Sequence, residues 1–202
     1  MKLYNFEKSG NCYKVRLFLS ILDKPYEEVP IDILKGESLT ENFLDINIHG
    51  FVPVLLDKDV KIIDSAAILM YLATKYGDEK WLPRQAENLA NVVRWMIFEQ
   101  SDMRYGLARA RLIKLKIPSD LSESGSFEES TKIGRNALNI IERQLQNKKW
   151  LVTESHPSIA DIACFPYIAL CSQGGFSLEE HDSIRRWIDQ IREIPGYIDP
   201  PN

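Results

Sequence analysis

The sequence predicts an α/β domain followed by an all-α domain. Up to about Tyr76, short apolar runs alternate between the two-residue period of strands and the 3.6-residue period of helices. From Ala86 onward strand alternation disappears and long helical patterns take over. Between the two lies "DEKWLPRQ", a polar stretch interrupted by a proline, which reads as a linker. The predicted domains are residues 1–77 and residues 87–202.

In the first domain "KLYNF" reads as a strand, "YKVRLFLSIL" as a helix and "YEEVPIDI" as a second strand. A helix that crosses between two strands makes them parallel. "SLTENFLDIN" follows as a helix, then "VPVLLD" and "VKII" as a hairpin pair, and "SAAILMYLATKYG" as a closing helix. The order βαβαββα implies a small sheet covered by helices. In the second domain helices are expected over Glu87–Lys116, Phe127–Asn147, Ser158–Cys171 and His181–Glu193. The polar "KIPSDLSESGS" between the first two is expected to be a loop.

With 202 residues the chain is long enough to bury a sizeable core. Its net charge of −4 is spread over both domains, so neither offers the basic surplus that a nucleic-acid backbone requires. No apolar run approaches membrane-spanning length, and the opening "MKLYNF" has no secretory h-region. The cytosol is the expected location, and neither nucleic acid nor membrane an expected partner. Cys12, Cys164 and Cys171 are odd in number and lack CxxC or Cys/His spacing, so no disulfide frame and no metal site is expected. Cys164 and Cys171, in the apolar "CFPYIALC", are expected to face a core.

Three short stretches carry chemistry. In "HGFVPVLLD", Pro53 opens a strand, where it is tolerated if its missing N–H points away from the ladder. It is either a trans proline or a cis one that turns Val52 outward as an extended edge for a peptide-like ligand. In "IIDSAAILMYLA", Asp64 and Ser65 begin a helix, as simple caps or as a carboxylate site. Ser65 can donate to a carboxylate while Asp64 pairs an ammonium, which together suit an α-amino-acid end. In "KSGNCYKVR", Ser9, Gly10, Asn11 and Cys12 precede a helix. Asp161 in "SIADI" is expected to form a capping box with Ser158 and to serve folding.

"VPVL" with its proline, the acidic-Ser pair before "AILMYLA", the linker "WLP" and the later "SIADIACFPYI" together resemble the cytosolic glutathione S-transferase superfamily over essentially the whole chain. "SGNCYKVRL" and "RWMIFEQ" look most like its bacterial-type, theta/zeta/nu-like members. The resemblance implies a thioredoxin-like first domain that binds glutathione and a helical second domain. It implies that Ser9 donates to the glutathione sulfur and stabilises its thiolate, with Asn11 as a second donor and Gly10 permitting a close turn. Cys12 is the rival, as a reactive thiol of the kind found in the beta and omega groups. Asp64 and Ser65 would hold the γ-glutamyl end, Val52 with a cis Pro53 the cysteinyl backbone, and Lys35 and His49 the glycine carboxylate. In the family the acidic residue of the pair is commonly glutamate, so Asp64 is one methylene shorter.

The activity so implied is thiolate attack on a small hydrophobic electrophile or peroxide, with glutathione as co-substrate, no permanently bound cofactor and no metal. The second substrate would lie between the domains against Phe6, Arg104, Tyr105 and Arg109. A homodimer is expected by resemblance. The alternatives are a glutathione-dependent thiol-disulfide oxidoreductase and a non-catalytic binding protein that keeps the fold.

Overall fold

The computed structural model describes residues 1–201. They form two compact units, one of Met1–Gly77 together with the chain from Pro195 onward, the other of Asp78–Ile194.

The first unit runs β1 (Lys2–Asn5), α1 (Gly10–Ile21), β2 (Glu27–Pro30), two 3-10 turns (Ile33–Lys35 and Glu37–Leu39), α2 (Glu41–Leu44), β3 (Val54–Asp57), β4 (Val60–Ile63) and α3 (Ser65–Tyr76). The sheet order is β2-β1-β3-β4. β1 and β2 pair in parallel across the α1 crossover, as expected, and β3 pairs antiparallel with both β1 and β4. Leu3, Val54 and Leu55 of the sheet are fully buried, as are Val15, Phe18 and Leu19 of α1 and Ile68, Leu69 and Leu72 of α3. Each such side chain contributes about 1.5–3 kcal/mol on leaving water. The recurrence of apolar residues every three to four positions on α1 and α3 therefore decides which faces meet the sheet.

One expected element differs. Residues 38–47 read as a helix, but the segment forms one 3-10 turn and the single-turn α2. Gly36 takes φ +74 and breaks the chain before the helix can start, and Leu39 is 66% exposed while Phe43 is buried, so the apolar spacing here makes no continuous helix face.

In the second unit α4 (Ala86–Phe98), a π-helical segment (Glu99–Ala108) and α5 (Arg109–Lys114) run on without a break. The short α6 (Asp120–Glu123) lies inside the expected loop. α7 (Phe127–Gln146), α8 (Ile159–Ala169), a 3-10 turn (Cys171–Gly174) and α9 (Asp182–Arg192) complete it. The expected Cys171 helix position is replaced by that turn, yet both Cys164 and Cys171 are buried. Every α8 residue from Ile159 to Ile168 is buried, so its apolar character all round makes it the central helix.

Asp161 anchors α8. Its carboxylate accepts from the Ser158 N–H (2.9 Å) and hydroxyl (3.1 Å), closing the capping box, and also from the Leu151 N–H (3.0 Å) and Trp187 Nε1–H (2.9 Å). Burial pushes its pKa up, against the four donors that pull it down. A close backbone approach joins the π-helical segment to α7: a Cβ at Gly106 would stand 2.5 Å from the Gly134 nitrogen, so only glycine fits. Among the described residues, no helix is long and apolar enough to cross a membrane.

Candidate active site

Sheet topology gathers the candidate residues of the first unit. β1 and β2 are parallel and β3 is antiparallel to β1 and β4, so the carboxyl ends of β1, β2 and β4 share one end of the sheet with the amino end of β3. Ser9 follows β1, Lys35 follows β2, His49, Val52 and Pro53 precede β3, and Asp64 and Ser65 follow β4. All seven stand at that end.

The β1–α1 turn is closed by its own hydrogen bonds. Ser9 is the N-cap of α1, with its N–H donating to the Phe6 carbonyl (3.0 Å) and its Oγ accepting from the Cys12 N–H (3.3 Å). A hydroxyl has two lone pairs and one proton, so it can accept and donate at once. The Ser9 side chain also hydrogen-bonds the Cys12 thiol. Ser9 and Asn11 are half-buried, whereas Gly10 and Cys12 are buried.

Cys12 is packed. Its Sγ accepts from the Phe6 N–H at 3.4 Å, and burial pushes its pKa up to about 11, against that hydrogen bond and one from Ser9. At neutral pH it is a protonated thiol under the turn, with no face to solvent.

At the opposite side of this sheet end, Asp64 caps α3 with φ +74, a left-handed backbone that is costly for a residue other than glycine. Its Oδ1 accepts from the Ala66 (2.8 Å) and Ala67 (3.3 Å) N–H groups, and its carbonyl from Ile68 (2.9 Å). Ser65 is 2% exposed and its hydroxyl has no hydrogen-bond partner. A buried hydroxyl left unpaired costs about 1–3 kcal/mol, an uncommon expense in a native fold.

The Val52–Pro53 peptide is cis. Val52 is half-buried and Pro53 buried. His49 is exposed and stacks on Phe51 with ring centroids 6.5 Å apart. Lys35 is exposed and forms an ion pair with Asp32 at 2.9 Å.

Comparison with known proteins places this geometry. Residues 3–80 match the glutathione S-transferase N-terminal domain and residues 113–195 the glutathione S-transferase C-terminal domain. Glutathione S-transferase Z1 of Arabidopsis thaliana is 30% identical over 205 residues, spanning 98% of this chain and 89% of its own. The chain belongs to the glutathione S-transferase family. A crystal structure of a glutathione S-transferase from Pseudomonas fluorescens Pf-5 matches this transferase with a TM-score of 0.89 and 35% identity, over 100% of this chain and 98% of the other. The disulfide-bond oxidoreductase YfcG of Escherichia coli (strain K12) is 24% identical and spans 95% of this chain and 90% of its own.

The remaining candidates of this glutathione S-transferase fall in different units. Phe6 is half-buried in the first. In the second, Arg104 and Tyr105 sit in the π-helical segment, Tyr105 being 43% exposed and Arg104 donating to Gln100 Oε1 at 3.5 Å. Arg109 is 3% exposed and its guanidinium is engaged by the Ser130 hydroxyl (2.7 Å), Glu129 (3.0 Å) and the Ser124 carbonyl (3.4 Å). Those bonds tie α5 to α7 and to the chain before it.

Asn47 was not singled out from the sequence. It is buried, accepts from the His49 N–H (3.1 Å) and donates to the Phe51 carbonyl (2.7 Å), thereby shaping the loop that carries His49. The pattern asparagine-x-x-glycine is the signal that could have found it, since asparagine side chains bond the backbone two residues on.

Proposed function

We propose that this glutathione S-transferase holds glutathione in extended form along the described sheet end and activates its thiol for attack on a small hydrophobic electrophile or peroxide. The observation that carries the reading is the Ser65 hydroxyl, buried and unpaired at the N-terminus of α3. A carboxylate there completes its hydrogen bonding and meets the positive end of the helix. The γ-glutamyl carboxylate is such a group. Its ammonium pairs with Asp64 Oδ2, because Oδ1 is committed to the helix cap. Val52 offers its backbone to the cysteinyl residue. Lys35 and His49 reach the glycine carboxylate, and an exposed ion pair such as Lys35–Asp32 exchanges partners at little cost.

Ser9 turns its hydroxyl proton from Cys12 to the sulfur, and Asn11 is the second donor. Lowering a thiol pKa from about 8.5 to about 7 takes about 2 kcal/mol, which lies within the ~1.5–3 kcal/mol of one hydrogen bond to a charged group. The thiolate then uses a lone pair to form the S–C bond while the leaving group departs with its electron pair. Phe6, Arg104 and Tyr105 are the side chains assigned to the electrophile. Arg109 is assigned to the helical scaffold of the second unit.

In this reading the protein is a cytosolic detoxifying enzyme that works as a homodimer. Exposed Val93 and Ile97, one turn apart on α4, form an apolar stripe that a second copy would cover. A second reading, glutathione-dependent disulfide reduction, is favoured by the YfcG relative. The burial of Cys12 then directs that chemistry through the glutathione sulfur. The test is calorimetric titration with glutathione followed by conjugation of a generic electrophile. Binding with turnover is expected; absence of binding refutes both readings, and binding with disulfide reduction alone selects the second.

A further inference from the structure

The C-terminal segment lies on the helix that presents Ser9. Beyond α9 the chain from Pro195 onward belongs to the first unit. Gly196, with φ +86, runs so close to the last turn of α1 that a Cβ there would stand 2.6 Å from the Ser20 carbonyl oxygen and 2.9 Å from the Ile21 Cα. Two residues later the Ile198 carbonyl accepts from the Tyr13 hydroxyl at 2.7 Å. The segment therefore runs antiparallel to α1, touching its last turn first and its first turn second.

Tyr13 is fully buried in the first turn, and its own N–H donates to the Ser9 carbonyl at 2.9 Å. One residue thus joins the tail to the turn that holds Ser9. Burial first, then the neighbouring Tyr197 and Asp199, keeps the Tyr13 hydroxyl protonated as a donor.

We propose that the segment from Pro195 is a strap that fixes the first turn of α1, and that Tyr13 is a positioning residue acting through Ser9. The functional half of the inference rests on the reading of Ser9 as the donor to the glutathione sulfur. The chemical reason is tolerance: a hydrogen bond to a thiolate weakens steeply once its angle opens, so a donor on an unanchored turn stabilises the charge less.

The test uses the full chain as wild type, Tyr13→Phe and Gly196→Ala. Tyr13→Phe removes one oxygen and keeps the ring in the core, so it folds; Gly196→Ala lifts the tail by a different route. Amide exchange is read at Cys12 and Tyr13, whose N–H groups bond Ser9. It is expected to quicken about five- to tenfold in both variants, with exchange in β3 unchanged. Unchanged exchange overturns the strap. The ultraviolet absorbance of the bound thiolate is then titrated with pH. The apparent thiol pKa is expected to rise by about half a unit to one unit in both variants, with glutathione affinity within about twofold of wild type. A purely structural tail lowers the melting temperature and leaves that pKa in place, which overturns the positioning role. Faster exchange in the variants with no bound thiolate even in wild type overturns the Ser9 reading and the functional half with it.

Discussion

Ser65→Ala has two effects of opposite sign. In the unliganded protein the Ser65 hydroxyl is buried and accepts and donates nothing, so alanine removes an unsatisfied polar atom from a site 2% exposed. The desolvation penalty so relieved is about 1–3 kcal/mol, and alanine at the first helical position costs nothing in propensity. For a chain of this size about 1 kcal/mol raises the melting temperature by about 2–4 °C. Glutathione binding moves the other way. Loss of a hydrogen bond to a carboxylate is worth about 1.5–3 kcal/mol, or an increase in Kd of about 10- to 150-fold. Differential scanning calorimetry of the unliganded variant and calorimetric titration with glutathione read the two signs separately. A lower melting temperature with unchanged Kd refutes the reasoning on both counts: the hydroxyl then has a partner in the free protein and no role in the bound one.

Cys12→Ser leaves glutathione conjugation within about twofold of wild type, because the thiol is protonated and enclosed; the native protein likewise shows no fast-reacting Cys12 towards an aromatic disulfide reagent. Loss of activity in that variant would move the chemistry to Cys12. Asp161→Ala strands the Leu151 and Trp187 donors as well as the cap, and is expected to cost about 3–5 kcal/mol in denaturant unfolding, with Asp161→Asn intermediate. Asp57 accepts from Lys75 Nζ (2.7 Å), Tyr71 (2.8 Å) and Tyr76, and the Lys75 and Tyr76 bonds hold its carboxyl far below the usual range. Its stabilisation is fully present above the unfolded value of about 3.9 and is lost as pH falls towards the lowered folded one. The stability gap between wild type and Asp57→Asn should therefore shrink on acidification below about pH 4, and a gap independent of pH would contradict the assignment.

Much of this fold is legible because burial follows periodicity. The apolar spacing of Val15, Phe18 and Leu19 or of Ile68, Leu69 and Leu72 has one stable use, a helix face on a sheet, and the crossover between β1 and β2 then fixes their parallel pairing. The segment 33–47 was not legible, because Leu39, Phe43 and Leu44 imitate a helix face while Gly36 and the Asn47 clamp fold the chain as short turns. Nor was the π-helical segment, whose wide turns answer to packing against α7 at Gly106 and Gly134 rather than to local preference. In the site, Ser9 and Ser65 were legible as hydroxyls at helix starts. That the Ser65 hydroxyl stays unpaired was not: it depends on Oδ1 of Asp64 taking the two N–H groups at the start of α3. The bond from Tyr13 to Ile198 spans 185 positions, beyond the reach of any local pattern.

The central claim is that the Ser9 proton stabilises a glutathione thiolate. It is tested most directly by the ultraviolet absorbance of the thiolate when glutathione is added at neutral pH to the wild type and to Ser9→Ala. The wild type should develop a saturable signal approaching about half a thiolate per chain, and the alanine variant should bind glutathione while its thiol pKa rises by about one to two units. Equal thiolate signals in the two proteins would contradict it.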